Sequence, residues 1–328
     1  MRALVTGGGG FLGRYVVEQL LARGDQVRVL GRRDYPDLTA LGVECVRGDV
    51  ADANIVSQAC AGMDVVFHTA AIAGIWGRWE DFYQANVVGT ENVVAGCHEH
   101  GVSRLVYTSS PSVTFDGTDQ NGVGESVPYP TRWLAHYPRS KAIAEQYVLK
   151  ANQPGKLLTC ALRPHLIWGP RDQHLIPRLI ERAKSGKLRI VGHGRNMVDM
   201  IYVENAAFAH LQAADALREG GKVCGKAYFL SQGEPVMCWV WINELLKLAK
   251  IPPLTRKISY RAAYAIGWLM EWGYRILGKY NSEPRMTRFL AAQLATNHYF
   301  NIAAARHDFG YAPKINTQEG MRRLAETL

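Results

Sequence analysis

The sequence predicts an α/β protein: a doubly wound parallel sheet followed by a smaller, mostly helical C-terminal domain. Two observations predict it. Short apolar runs alternate with helical patterns through the first half of the chain, and a glycine-rich turn joins the first run to the first helix. In order, "RALV", "QVRVL", "ECVRG", "DVVFH", "RLVYTS" and "LLTCALR" are short, apolar and rich in valine and leucine, so they read as strands. Between them, "FLGRYVVEQLLARG", "ANIVSQACAG", "DFYQANVVGTENVVAGCHEHG" and "YPRSKAIAEQYVLKA" repeat apolar residues at the spacing of one helix face, and Gly24 and Gly101 stop two of them. Strands alternating with helices need right-handed crossovers, hence parallel strands covered on both faces.

After Arg163 the rhythm loosens. "HLIPRLIERAKSG" and "CWVWINELLKLAK" predict helices, and "LRIVG" and "AYFLS" predict strands. The expected division is a first domain over 1–170 and a second, substrate-binding one over 171–328, with the chain returning to the first around 199–231. Beyond Ile251, "ISYRAAYAIGWLMEWGYRILGKY" is aromatic and apolar, but Arg261, Glu271 and Arg275 interrupt it well short of the roughly 20 residues that span a bilayer. Three readings of this segment stay open: a packed core helix, an apolar lid over a greasy substrate, or an interfacial helix making peripheral membrane contact.

Composition excludes some functions. With 48% apolar and 20% charged residues among 328, the chain is an ordinary globular protein with room for a sizeable core. Cys45, Cys60, Cys97, Cys160, Cys224 and Cys238 form no Cys-x-x-Cys pair or ligand spacing, so reduced thiols in the cytoplasm are expected and a metal site is not. His98 and His100 in "HEH" have no cysteine or carboxylate partner at ligand spacing and read as a helix end. Met1 leads directly into "RALVTGGGG", without the apolar run of a secretory signal. The net charge of +9 favours anionic partners, yet the basic residues are dispersed, which argues against a nucleic-acid interface.

In "TGGGGFLG", Gly7, Gly10 and Gly13 are spaced G-x-x-G-x-x-G, and Phe11 and Leu12 open the helix that follows. The first glycine permits a tight turn, the second lets a pyrophosphate approach the backbone, and the third lets helix and strand pack closely. The helix N-terminus then offers free N–H groups to phosphate, so this is a dinucleotide cradle on a Rossmann-like sheet. The second strand ends "VRVLGRRD", with Gly31 where a ribose-binding carboxylate would stand and Arg32 and Arg33 after it. Guanidinium groups suit a 2′-phosphate, so NADP(H) is the expected cofactor, while Asp34 keeps NAD(H) open.

"HYPRSKAIAEQ" places Tyr137 four residues before Lys141, on one face of a predicted helix. A cation beside a phenol favours its ionised form and brings its pKa nearer the range useful for general acid–base work. Set in order, "TGGGGFLG", "GDV" at 48–50, "HTAA" at 68–71, "NVVGTENV" at 86–93, "YTSS" at 107–110, "YPRSK" at 137–141 and "LRPHLIWGP" at 162–170 resemble the extended short-chain dehydrogenase/reductase family over nearly the whole chain. The resemblance implies that Tyr137 is the general acid or base and that Lys141 lowers its pKa and bonds the nicotinamide ribose. Ser110 would position the substrate oxygen, with Ser109 the alternative because the doubled serine leaves the register open by one. It further implies that Asp49 and Val50 flank the adenine and that Ala70 and Ala71 line the phosphate–ribose track. Asn86 would order the active-site backbone, and Pro164 to Ile167 would pass the nicotinamide amide. Dimerisation through a helical face is common in the family, so a homodimer is also implied.

Members acting on nucleotide sugars usually carry Gly-Asp-Gly-x-x-x-Arg-Asp, whose arginine grips a diphosphate. Here "GHGRNMVD" has His193 and Val198 at the Asp and Arg positions. The chain is more similar to the 3β-hydroxysteroid dehydrogenase-like branch, above all to its bacterial 2-alkyl-3-oxoalkanoate reductases of olefin biosynthesis, through "VFHTAA", "YTSSPSV" and the ending "DFGYAPKINTQEGMRR". The implied activity is NAD(P)H-dependent reduction of a bulky apolar β-keto acid to its 3-hydroxy acid. The alternatives are a 3β-hydroxysteroid or sterol-4-carboxylate dehydrogenase, a nucleotide-sugar epimerase or dehydratase, and a non-catalytic dinucleotide sensor. The aromatics of 260–280 are expected to line the pocket, Trp76 and Trp79 are further candidates for its wall, and Arg171 and Arg139 are candidates for the acid contact.

Overall fold

The computed structural model describes residues 1–328, and a parallel sheet of seven strands forms its centre. The strands are β1 (Arg2–Thr6), β2 (Gln26–Gly31), β3 (Glu44–Arg47), β4 (Val65–His68), β5 (Arg104–Thr108), β6 (Leu158–Pro164) and β7 (Lys226–Leu230). They lie in the order β7-β6-β5-β4-β1-β2-β3, so the winding reverses between β1 and β4. In open sheets of this kind the crevice at that reversal, beyond the strands' C-terminal ends, is where ligands bind.

Helices cover both faces of the sheet, which is why β4 and β6 are buried along their whole length. On one face α1 (Phe11–Ala22) packs Val16, Val17 and Leu20 into a core shared with Ala206, Ala209 and Ala213 of α5 (Val203–Ala216). On the other, Val56 and Ala59 of α2 (Ala53–Cys60) meet Val93, Val94 and Cys97 of α3 (Gly89–Glu99), beside α4 (His136–Lys150). Each such valine or leucine contributes about 1.5–3 kcal/mol by leaving water. The predicted helix around 81–101 forms as one run, with a π-helical turn over Tyr83–Val88 inserted ahead of α3. The chain returns to the first sheet through α5 and β7, which pairs Lys226–Leu230 with Cys160–Pro164.

A second core gathers Ile176, Leu179, Trp239, Trp241 and Leu245 under a four-stranded sheet that combines Val236–Met237, Met197–Val198, His298–Phe300 and Gln120–Val123. Beside it the apolar segment becomes α6 (Tyr260–Ile276), packed on α7 (Arg288–Ala295). Only the stripe of Ala263, Gly267 and Glu271 is buried; a Cβ on Gly267 would come 2.6 Å from the Thr287 carbonyl carbon. Glu271 takes hydrogen bonds from the N–H (2.7 Å) and Nε (2.9 Å) of Arg288. The opposite face is open, with Trp268, Leu269, Trp272 and Ile276 each more than 50% exposed. The segment is therefore not a helix packed on all sides, and no helix is long and apolar enough to cross a membrane. All six cysteines are free, and Cys60, Cys97, Cys160 and Cys238 are buried.

Candidate active site

The glycine-rich turn joins β1 to α1 at the reversal of the sheet. Gly7 adopts φ 71°, and a Cβ on Gly13 would come 2.3 Å from the Gly7 carbonyl oxygen, so glycine is needed at both positions. Gly10 caps α1 without a side chain, leaving the first-turn N–H groups of Phe11, Leu12 and Gly13 at the positive end of the helix dipole. A pyrophosphate fits such a cradle. Beyond β2, Arg32 and Arg33 are exposed and have no ion-pair partner, whereas Asp34 is engaged by Arg47 at 3.1 Å.

The remaining residues expected along the cofactor follow the C-terminal edge of the sheet. Asp49 lies past β3, its carboxylate accepting from the Ala51 N–H at 3.0 Å, and the carbonyl of buried Val50 accepts from Asn92 at 3.0 Å. Ala70 and Ala71 leave the end of β4, with Ala70 against Gly7 and Ala71 exposed. Buried Asn86 pins the backbone just beyond them. It accepts from the Ile72 N–H (2.8 Å) and donates to the Ile72 carbonyl (3.1 Å) and to Ser140 (2.9 Å). Pro164 ends β6, and Ile167 resumes pairing, with Ile201, after Leu166 turns the chain at φ 43°.

Tyr137, Lys141 and Glu145 stand at successive turns on one face of α4. Tyr137 and Ser110 line one cavity of about 160 Å³. Ser109 does not; it is buried, with its N–H on the Leu162 carbonyl at 2.6 Å. Lys141 is 2% exposed, donates to the Thr108 carbonyl at 2.6 Å and lies 4.2 Å from the centre of the Tyr107 ring. Burial pulls its pKa down to about 7, opposed by the Glu145 carboxylate. Burial also pushes the Tyr137 phenol up, opposed by the Ser110 hydroxyl. In the chain alone, then, desolvation dominates the phenol.

Two supporting groups escaped sequence reasoning. Arg163 binds Glu145 through two hydrogen bonds of 2.6 and 2.9 Å, both side chains are buried, and the Tyr129 hydroxyl adds a bond of 2.6 Å to the carboxylate. Glu145 continues the Tyr137–Lys141 stripe, which was the available signal, but nothing local points to its arginine. His68 bridges Thr6 (2.7 Å) and Thr90 (2.9 Å), and the Thr90 hydroxyl donates to the Asn86 carbonyl at 2.7 Å. Burial, with the Lys141 cation adding to it, pulls this imidazole down to about 3. A neutral hydrogen-bonded chain thus ties β1 to the Asn86 clamp.

On the substrate side several expectations need correction. The apolar wall of the cavity comes from Ile75, Phe115, Phe289 and Phe300; no residue of 260–280 lines it, because the buried stripe of α6 faces α7. Trp76 stacks on Tyr280 with ring centres 6.2 Å apart and donates to the Lys279 carbonyl at 2.9 Å, fastening its loop to the end of α6. Trp79 packs on His136, and Arg139 lies 4.3 Å over its ring. Arg171 is held by Glu18 through bonds of 2.7 and 2.8 Å, so neither arginine reaches the cavity. Val198 is buried and pairs in register with His298, leaving no cation at the diphosphate-gripping position.

The chain is 50% identical to the 2-alkyl-3-oxoalkanoate reductase of Stenotrophomonas maltophilia, covering 99% of this chain and 98% of the relative. It is 47% identical to the 2-alkyl-3-oxoalkanoate reductase of Shewanella oneidensis, over 99% and 86%. Among solved structures, MoeE5 in complex with UDP-glucose and NAD shares the fold at a TM-score of 0.76 and 24% identity, over 99% and 98% of the two chains. Residues 4–256 match the 3-beta hydroxysteroid dehydrogenase/isomerase family. With a glycine cradle, an α4 stripe carrying Tyr137 and Lys141, and relatives of this closeness, the chain belongs to the 3-beta hydroxysteroid dehydrogenase/isomerase family and is an NAD(P)-dependent oxidoreductase of the extended short-chain class.

Proposed function

We propose that this chain reduces bulky β-keto acids of the 2-alkyl-3-oxoalkanoate type to 3-hydroxy acids, with NADP(H) preferred over NAD(H). The observation that carries the reading is the meeting of Tyr137 and Ser110 on one small, aromatic-walled cavity, with Lys141 buried one turn behind. The names of the two relatives near half identity support the substrate class. The unpaired Arg32 and Arg33, beside a Gly31 that cannot bond a ribose hydroxyl through a side chain, support the 2′-phosphate. Residues 1–170, joined by 199–231, would hold the cofactor, and the remainder would shape the substrate site.

When bound, the reduced nicotinamide supplies a hydride to the ketone carbon. Ser110 orients the ketone oxygen, and Tyr137 transfers its phenolic proton to that oxygen, giving the secondary alcohol. Burial keeps the phenol protonated until it is needed, which suits an acid in the reducing direction. Lys141, anchored on Thr108, presents the cation to the ribose and the phenolate. The cavity has room for the reacting carbons and the carboxylate, so the alkyl chains would extend beyond it. Following NADPH absorbance while 2-alkyl-3-keto acids, 4-carboxysterols and 3-ketosteroids are added in turn tests the reading. Turnover confined to the sterols would refute it.

A further inference from the structure

Two histidines in the cavity take no part in the chemistry above. His165 and His298 are 6% and 1% exposed, and their rings meet edge to face at 5.9 Å. Both line the space onto which Tyr137 and Ser110 open. Their hydrogen bonds assign the tautomers. His165 Nδ1 lies 2.6 Å from the Asp199 carbonyl oxygen, which can only accept, so Nδ1 carries a proton. His298 Nε2 lies 2.7 Å from the Thr296 hydroxyl, whose own proton goes to the Ala292 carbonyl at 2.9 Å, so Nε2 carries a proton. One bare nitrogen is left on each ring. His298 Nδ1 is wholly buried and has no partner, a costly state for a polar atom.

The pair is built into place. Leu166 takes φ 43°, a region leucine seldom occupies, directly after His165 at the end of β6. His298 is fixed by its pairing with Val198, and Phe115 and Phe300 brace the two rings edge on at 5.1 and 5.0 Å.

Resting on the β-keto acid reading, we propose that His165 and His298 together hold the substrate carboxylate, one proton from solvent entering the pair as the acid binds. Such a substrate carries a single carboxylate, its carbon two bonds from the one that Tyr137 and Ser110 address through its oxygen. No lysine or arginine lines the cavity, so, beside the neutral amides of Gln120 and Gln293, only these imidazoles can become a cation there. Neutral, each ring has only a lone pair at its bare nitrogen, which repels a carboxylate. With one proton added they give it a charge-assisted hydrogen bond, and two rings this close do not both ionise. Burial holds His165 down at about 4 and His298 well below its ordinary value, its neighbour adding to the effect, so both are neutral before the acid arrives. The other titratable groups around them leave the charge unanswered. Tyr137 lines the same cavity, and the Asp199 carboxylate is taken up by Ser231 and the Gly233 N–H. The Glu145–Arg163 pair is closed on itself behind Phe229 and Phe300. The decarboxylated ketone would meet the same Tyr137 and Ser110 but leave the pair unanswered, so the histidines select the acid.

The test compares kcat/KM with NADPH for a 2-alkyl-3-oxo acid and its decarboxylated ketone in the wild type, His165→Phe and His298→Phe. The wild type is expected to prefer the acid, and each variant to lose about tenfold to a hundredfold of that preference, read as the ratio of kcat/KM for acid and ketone in the same variant. An unchanged preference in variants that still reduce the ketone overturns the proposal. A wild type that reduces both compounds equally removes this inference alone; one that reduces neither removes the β-keto acid reading and this inference with it. Calorimetry serves where the variants fail to fold. The NADP complex of the wild type is titrated near neutral pH with the stable 3-hydroxy acid, in buffers of different ionisation enthalpy. Uptake of about one proton per acid bound is expected, and none for the corresponding alcohol; zero uptake with the acid overturns the proposal.

Discussion

Replacing Lys141 with methionine should stabilise the cofactor-free protein at neutral pH while removing its activity. The folded ammonium titrates at about 7 against an ordinary value of 10.5, so between those two values the unfolded chain binds the extra proton. For a lysine lowered in this way, stability rises with pH through that window, and the full penalty is present below it. At about 1.4 kcal/mol per pH unit, keeping Lys141 buried costs the wild type about 4 kcal/mol at pH 7 and about 1 kcal/mol near pH 9.5. Methionine fills similar space without charge, but leaves the Thr108 carbonyl without its donor, a loss of about 1–3 kcal/mol. The variant should therefore gain about 1–3 kcal/mol at pH 7 and nothing near pH 9.5. Urea unfolding of wild type and variant at the two pH values measures the difference directly. A variant less stable than wild type at pH 7, or a gain that does not shrink at the higher pH, would show that the lysine is not held against its charge, and the reasoning fails.

Three further outcomes follow from the same geometry. Tyr137→Phe should lower kcat by about two to four orders of magnitude, the usual contribution of a positioned general acid, with NADPH affinity by fluorescence titration unchanged; reduction at near wild-type rate would remove the phenol from the mechanism. Changing Arg32 and Arg33 together to serine should raise the KM for NADPH by about tenfold or more while sparing NADH, since each lost charge-assisted contact is worth about 1.5–3 kcal/mol. A wild type that prefers NADH tenfold would count against the arginine pair. Glu145→Gln leaves Arg163 as an unpaired buried cation and should cost about 3–5 kcal/mol in denaturant unfolding, with Tyr129→Phe much milder.

Much of the fold and part of the site were legible in the sequence because they rest on short spacings. Alternating apolar runs specify the strands and helices, three glycines three apart specify the turn into α1, and a four-residue step places Tyr137 and Lys141 on one face of α4. Such signals are local, since backbone geometry converts spacing directly into direction.

What only the tertiary structure decided is which groups meet and which are already taken. Arg171 and Arg139 have the charge to bind an acid, but Glu18 claims one and the Trp79 ring the other. The aromatic residues of α6 look like a pocket wall in sequence, yet the helix turns its buried stripe to α7 and the wall is built from Phe115, Phe289 and Phe300. His165 and His298 come from distant parts of the chain and share a cavity only because the strand carrying His298 pairs with Val198. A side chain's chemistry is written in its type, but its free valence depends on neighbours that packing brings from far along the chain, and that no spacing records.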